Sequence, residues 1–267
     1  MHYILPSYFS HVTKYLIEIR AQGRYSFTTE ELKNQFILSP NALKKILYRL
    51  KQKKEIALVS QGFYVIIPPE YSKQGIIPPY LYINDLMKSL EKSYYVGLLS
   101  AAALLGAVHQ QPAGYTIITQ SPSPRSINKL KILFFSTQKF VQDGIVQRKT
   151  PAGYINMSSP ELTALDFFDN IHKFGINRIT AILRKLSKVM KPATLLKIAK
   201  QYPNMAAIQR LGYVLDKIFA EKLSNALWKV LSEKDFYPIP LSPQKDEKGE
   251  TNNKWKIIQN IEIESNL

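Results

Sequence analysis

The chain has 267 residues, carries 36 Lys and Arg against 20 Asp and Glu, and contains no cysteine. Its length predicts two domains or one large one, and its net charge of +16 indicates nucleic acid, a membrane surface or an acidic protein as partner. The lack of cysteine excludes disulfides, thiolate metal sites and thiol nucleophiles. The sequence shows neither a secretory signal nor an apolar run long enough to span a bilayer, so we expect a soluble cytoplasmic protein without a membrane partner.

The first 68 residues show the pattern of three helices followed by a hairpin. Apolar residues recur at helical spacing early in the chain, and Thr28 and Thr29 precede the acidic first turn of a short second helix. Ser39 followed by Pro40 opens a third helix. The order predicts a winged helix-turn-helix domain over residues 1–68, with helices near 7–21, 28–37 and 39–53 and strands at 56–60 and 63–67.

The third predicted helix combines a buried apolar stripe with a basic face. Leu43, Ile46, Leu47 and Leu50 share one side of the helix, which leaves Lys, Arg, Asn, Gln and Tyr side chains on the other. These residue types can contact phosphates and base edges in a major groove. The predicted DNA-binding residues are Thr28, Thr29, Ser39, Asn41, Lys44, Lys45, Tyr48, Arg49, Lys51, Gln52, Lys53, Lys54 and, at the tip of the wing, Gln61.

Two alternatives to DNA binding stay open for this face. Most runs of charge on amphipathic helices are solvated surfaces without a ligand. A winged helix can also bind protein, because a fold does not determine its ligand.

The remainder of the chain has the pattern of a mixed domain. Prolines at both ends of residues 69–79 indicate a linker. Residues 80–241 predict a larger α+β domain with strands first and helices later, and residues 242–267 predict a polar, mobile segment followed by a C-terminal tail. The predicted helices are 81–91, 94–105, 159–168, 176–190, 193–201 and 205–231, and the predicted strands are 115–120, 131–135, 144–148 and 154–157.

Four segments carry a family resemblance. They are "SQGFYVIIP" at 60–68, "YYVGLLSAAALLGAVHQQPAGYTIIT" at 94–119, "SSPELTALDFF" at 158–168 and "IQRLGYVLD" at 208–216. In this order and spacing they resemble the AbiEi antitoxins of abortive-infection, type IV toxin–antitoxin systems, which serve in phage defence. The resemblance implies an N-terminal winged helix that represses its own promoter and a C-terminal domain that counters a nucleotidyltransferase-like toxin.

A second basic surface is predicted in the larger domain. No acid occurs between Lys173 and Leu215, whereas basic residues as far as Arg210 are spread over successive helices. The helical period places part of this set outside the buried stripe of residues 177–190. This surface, formed by Arg178, Arg184, Lys185 and Lys188, is expected to bind DNA or the toxin, or to remain a solvated cationic face.

Catalytic patterns are sparse. The four histidines, at positions 2, 11, 109 and 172, form no metal-spaced pair. Glu161, Asp166 and Asp169 on one predicted helix could belong to a metal-dependent nuclease, but an acid in a first turn is also what the helix dipole favours. The sequence contains neither a phosphate-binding glycine loop nor a nucleophile elbow. We therefore predict no cofactor, no bound metal and no enzymatic activity.

The combined hypothesis is a DNA-binding transcriptional autorepressor that is the antitoxin of a toxin pair. Its partners are double-stranded promoter DNA and a cognate nucleotidyltransferase-like toxin, while direct contact with that toxin and the oligomeric state stay open. The rival hypothesis is a transcriptional regulator whose second domain senses a small molecule.

Overall fold

The computed structural model describes residues 5–108, 110, 112–124 and 131–264. Two compact units divide the chain. The N-terminal unit comprises residues 1–94, 125–133 and 147–155, and the C-terminal unit comprises residues 95–124, 134–146 and 156–267. Both helices and strands contribute to each unit, which confirms the mixed α+β prediction.

The N-terminal unit begins with helices and a small antiparallel sheet. The sheet has the order β1-β3-β2, in which β3 pairs with both neighbours. Apolar residues of all three helices, including Val12, Leu32 and Ile46, are buried together against Phe27 and Ile66 of the sheet. The elements are α1 (Leu5–Ala21), β1 (Ser26–Thr28), α2 (Thr29–Gln35), α3 (Pro40–Gln52), β2 (Ile56–Ser60) and β3 (Phe63–Ile66).

The segment predicted as a linker contains two short helical turns, Pro69–Tyr71 and Pro79–Leu81. Ile77 between them is only 2% exposed. Helix α4 (Ile83–Ser89) follows, and its Asp85 accepts a hydrogen bond from Ser26 of β1 at 2.7 Å. These contacts connect the segment to the N-terminal unit.

A five-stranded sheet has the order β6-β5-β4-β8-β7. Its strands are β4 (Tyr94–Val96), β5 (Tyr115–Gln120), β6 (Ile132–Thr137), β7 (Ile145–Thr150) and β8 (Gly153–Ser158), and α5 (Leu98–Leu104) follows β4. The prediction of one helix over 94–105 was wrong at its start. Tyr94, Tyr95 and Val96 are aromatic or β-branched and fully buried, which suits a central strand, and Gly97 precedes the helix.

Helices dominate the rest of the C-terminal unit. They are α6 (Pro160–Asp169), α7 (Ile171–Phe174), α8 (Ile176–Leu186), α9 (Pro192–Gln201), α10 (Met205–Lys217) and α11 (Glu221–Leu231). The helix predicted to reach Met190 ends at Leu186, because Ser187 caps it and a turn follows. Helix α6 is buried along its whole length from Glu161 to Phe168.

The C-terminal segment packs onto this core. Strands β9 (Ile239–Pro240), β10 (Thr251–Asn252) and β11 (Ile257–Ile258) form a small sheet, so part of the segment predicted as mobile is paired. Trp255 is fully buried, and its indole donates a hydrogen bond to Asp216 at 2.7 Å. No helix in the described part of the chain is long and apolar enough to cross a membrane.

Candidate functional site

Helix α3 begins with a well-formed cap. Ser39 accepts a hydrogen bond from the Ala42 amide at 3.2 Å, and Pro40 occupies the first helical position, where no amide hydrogen is needed. The four residues of the predicted apolar stripe are buried at 1–7% exposure. Because the stripe fixes the rotation of the helix, it also determines which side chains face solvent.

The opposite face of α3 carries the residues predicted to read DNA. All of them are exposed, and Tyr48 retains 62% of its accessible surface. No carboxylate among the described residues forms an ion pair with Lys44, Lys45 or Arg49. The helix therefore presents an uncompensated cationic face made of Asn41, Lys44, Lys45, Tyr48, Arg49 and Gln52.

The C-terminal end of α3 is also basic. Lys51, Lys53 and Lys54 are exposed, and cations here are also stabilised by the helix dipole. The ammonium of Lys53 lies 5.0 Å from the centre of the Phe9 ring. Lys54 has a positive φ of 57°, and the following Glu55 amide donates to the Leu50 carbonyl at 3.0 Å, which closes the helix.

The start of α2 is bonded internally. Thr28 accepts a hydrogen bond from the Glu31 amide at 3.1 Å, and the Thr29 amide donates to the Gly62 carbonyl at 2.8 Å. The amides of Thr29 and Glu31 are therefore both occupied by bonds within the protein. The phosphate contact predicted for Thr28 and Thr29 consequently depends on their hydroxyl groups. Gln61 is exposed in the two-residue turn between β2 and β3, beside Gly62, whose φ is +73°.

One residue near this face was missed in the sequence analysis. Ile37, in the connection between α2 and α3, is 96% exposed. Ile37 stands between Phe36 and Leu38, which pack against the N-terminal core, so its sequence position did not distinguish it from buried residues. Ile37 lies two residues before Ser39, the cap of α3, and leaves an apolar side chain in solvent.

The second basic surface is less uniform than its sequence suggests. Arg178 and Lys188 are exposed, whereas Arg184 and Lys185 are half-buried. Arg210 was counted with the basic residues of this region, but it is only 8% exposed, and its guanidinium donates to the Pro240 carbonyl at 3.0 Å. Arg210 therefore connects α10 to the C-terminal segment and contributes no surface charge.

The three carboxylates of α6 have internal partners. Glu161 accepts a hydrogen bond from the Lys191 amide at 2.7 Å. Asp166 accepts one from Tyr95 and one from Tyr202, each at 3.0 Å. Asp169 accepts from Asn204.

Burial of Asp166 raises the pKa of its carboxyl group to about 8, although the two tyrosine hydrogen bonds oppose this shift. A carboxyl group that stays protonated near neutral pH is a poor metal ligand, because metals bind the ionised form. These contacts give the cluster a structural role in the core and do not support the nuclease interpretation.

Among the described residues, the histidines form no alternative catalytic centre. His2 and His109 lie outside the described residues. His11 and His172 are exposed on separate helices, and no group of three potential metal ligands occurs in the described ranges.

Residues 95–217 match the family model of the AbiEi antitoxin C-terminal domain. This stretch is an AbiEi antitoxin domain. It contains β4 to β8 and α5 to α10, and therefore the buried carboxylates of α6. The match confirms the resemblance to AbiEi-type antitoxins over this stretch.

The whole fold is similar to a solved structure. The crystal structure of the RV2827C protein from Mycobacterium tuberculosis superimposes with a TM-score of 0.66 at 17% sequence identity. The similarity covers 95% of this chain and 91% of that chain, and at this identity it concerns the fold alone. No significant match occurs among curated proteins.

Proposed function

We propose that this AbiEi protein is a transcriptional autorepressor that binds its promoter through a winged helix-turn-helix domain, residues 1–68, and neutralises a toxin through its C-terminal domain, residues 80–241. The observation that carries the DNA-binding half is the exposed, uncompensated cationic face of α3. The AbiEi domain supports the antitoxin half, because antitoxins of this family act with a toxin partner.

Helix α3 is the recognition helix in this proposal. Lys44, Lys45 and Arg49 can donate to guanine edges or phosphates, while Asn41 and Gln52 can read adenine. Tyr48 can donate its hydroxyl hydrogen to a phosphate. Lys51, Lys53 and Lys54 follow the backbone as the helix leaves the groove, and these contacts supply affinity without reading sequence.

The flanking residues complete the interface. The hydroxyls of Thr28 and Thr29 face a phosphate beside the groove, and Ser39 lies at the start of α3. Gln61 contacts the neighbouring groove from the short turn of the wing. In this proposal the protein acts in the cytoplasm. It binds DNA through these contacts without a cofactor and catalyses no reaction.

A cavity favours a ligand-sensing regulator as a second candidate, although it lies in the N-terminal unit and not in the second domain to which the sequence analysis assigned ligand sensing. A space of about 270 Å³ lies between α1 and the end of α3, with Leu16, Ile17 and Leu50 on its apolar side. Arg20, Lys53 and Lys54 line the same space. A small apolar acid bound there would neutralise two lysines that this proposal assigns to phosphate, so ligand binding would weaken DNA binding.

One pair of variants separates the two halves of the proposed function. Lys44→Ala with Arg49→Ala removes two exposed cations, so promoter affinity should fall about a hundredfold while the melting temperature is unchanged. The same variant should still rescue cells from the toxin. The matched control, Lys229→Ala with Lys234→Ala, removes two exposed cations of the C-terminal unit and should bind the promoter normally.

The outcomes test each half independently. Wild-type promoter affinity in the α3 variant would contradict the DNA interface. Loss of promoter binding with normal rescue supports both assignments, and failure of the wild-type protein to rescue would contradict the antitoxin function. A small acid that lowers promoter affinity only when Arg20 is present would favour the ligand-sensing regulator.

A further inference from the structure

Strand β1 connects two parts of the proposed DNA interface. It is an edge strand, because in the order β1-β3-β2 it pairs with β3 and with no second strand of the described chain. Thr28, its last residue, caps α2, and the amide of the following Thr29 donates to the carbonyl of Gly62 in the wing at 2.8 Å. The position of β1 therefore determines where both the start of α2 and the tip of the wing lie.

Side chains from outside the sheet hold this short strand. Ser26 is only 2% exposed, and its hydroxyl donates a hydrogen bond to Oδ2 of Asp85 in α4 at 2.7 Å. The Ser26 carbonyl accepts from Nε of Arg24 at 3.1 Å, and the same guanidinium forms an ion pair with Glu31 in the first turn of α2. A strand of three residues is marginal by itself, so these contacts fix its position.

Helix α4 is well placed to hold β1. Its Ile83, Leu86 and Met87 are completely buried, and the helix belongs to the N-terminal unit, which extends to Tyr94. Asp85 forms no ion pair among the described residues, and its recorded partner is the hydroxyl of Ser26. A side chain on a helix anchored in this way has a defined position, which it can impose on its partner.

We propose that Asp85 is a positioning residue for promoter binding: through Ser26 it holds β1, and through β1 it places the start of α2 and the wing against the DNA. This inference rests on the DNA-binding function proposed above and extends the winged module from residue 68 to residue 94. A carboxylate does not itself bind phosphate, because both groups are anions. Asp85 must therefore act through the residues that it holds.

The direction of one change in affinity separates positioning from electrostatics. Asp85→Ala removes a negative charge from a unit that binds a polyanion, so electrostatics alone predicts equal or tighter promoter binding. Positioning predicts that the promoter affinity of the full-length protein falls about tenfold, measured at a temperature well below the onset of unfolding. Asp85→Asn removes the same charge but keeps an oxygen that can accept from Ser26, so it should bind like the wild type.

The donor side of the hydrogen bond supplies a second variant. Ser26→Ala should reproduce the loss of promoter affinity. Combining Ser26→Ala with Asp85→Ala should cause no further loss, because both changes remove the same hydrogen bond. The matched control, Glu70→Ala, removes an exposed acid of the same unit and should leave promoter affinity equal or slightly higher.

The wing supplies a readout that a loss of stability would not change. Gln61→Ala should weaken promoter binding in the wild-type protein and have little effect in Asp85→Ala, because the wing is then no longer held against the DNA. The dependence of affinity on salt should be the same in Asp85→Ala and wild type, since the lysines of α3 still neutralise their phosphates.

Three results would overturn the inference. Promoter affinity in Asp85→Ala that equals or exceeds that of the wild type refutes the positioning role. Equal losses in Asp85→Ala and Asp85→Asn assign the effect to charge, and equal effects of Gln61→Ala in both backgrounds assign it to general stability. The proposed function survives each of these results as long as Lys44→Ala with Arg49→Ala abolishes promoter binding, whereas normal binding by that variant contradicts the proposed function itself.

Discussion

Helices α3 and α6 begin alike and differ in what surrounds them. Each starts with Ser-Pro, and each serine accepts a hydrogen bond from the amide three residues later, at 3.2 Å from Ala42 and 3.3 Å from Leu162. Helix α3 then leaves its basic side chains in solvent, whereas α6 is enclosed on all sides. The same initiation signal thus begins a helix with an exposed basic face in one unit and a buried helix in the other.

The difference shows how polar residues can be assigned a role. Asp166 receives two tyrosine hydroxyls and Glu161 receives a backbone amide, so their hydrogen-bonding capacity is used inside the protein. The cations of α3 have no such carboxylate partner among the described residues. Polar groups without internal partners are the ones available to a ligand.

The largest expected effect on stability is in α6. Asp166→Ala removes the acceptor of two buried hydroxyls, each worth about 1–3 kcal/mol when left unpaired, so we expect a loss of about 3 kcal/mol of unfolding free energy at pH 6. Chemical denaturation measures it. Lys45→Ala on the exposed face of α3 is the control, with an expected change within about 0.5 kcal/mol. Equal effects of the two substitutions would remove the distinction between the helices.

A slightly smaller effect is expected where α10 meets the tail. A methyl group at Gly212 would overlap the buried ring of Trp255, so Gly212→Ala should cost about 2 kcal/mol by overpacking. Tryptophan emission should shift to longer wavelength as the ring is displaced. Combining Gly212→Ala with Trp255→Leu should cost less than the sum of the two single changes, because the second change removes the overlap. Full additivity would show that the two residues do not meet.

The buried carboxyl group also predicts a pH dependence. The pKa of Asp166 is raised to about 8 by burial, so between pH 5 and 8 the folded protein holds a proton that the unfolded chain has lost. The unfolding free energy should therefore fall as pH rises through this range, by at most about 1.4 kcal/mol per pH unit from this group. The Asp166→Asn variant cannot ionise at this position, so its unfolding free energy, measured by chemical denaturation, should change less with pH than that of the wild type. Parallel curves for the two proteins would contradict the raised pKa.

The smallest effect is expected at Ile37, which precedes the proposed DNA-binding helix in the chain. Ile37→Ser should reduce promoter affinity by less than about 1 kcal/mol and leave the melting temperature unchanged, because Ile37 is 96% exposed. A promoter titration at fixed salt measures this change. A large loss of stability would show that Ile37 packs in the folded protein.

Sequence patterns predicted much of the N-terminal unit. The period of Leu43, Ile46, Leu47 and Leu50 fixed both the buried side of α3 and its exposed face, because an amphipathic helix has one rotation that buries its apolar stripe. The family resemblance likewise located the AbiEi domain. Local periodicity was sufficient for α3 because its burial depends on residues close together in the chain.

Features that depend on distant partners were not predicted. Nothing near Asp166 in the chain shows that Tyr95 and Tyr202 will enclose it, and the burial of Arg210 depends on the Pro240 carbonyl. The start of β4 was assigned to a helix because a short buried apolar run lacks a period that distinguishes strand from helix. The left-handed backbone at Phe219 is likewise visible only in three dimensions.

The salt dependence of promoter binding tests the central claim most directly. If about six phosphates are neutralised, a plot of log affinity against log salt concentration should have a slope near −5 for the wild-type protein. Lys51→Ala, Lys53→Ala and Lys54→Ala combined should reduce the slope to about −2, since each lysine accounts for about one unit. A nearly salt-independent affinity, or equal slopes for the two proteins, would contradict the assignment of α3 to DNA.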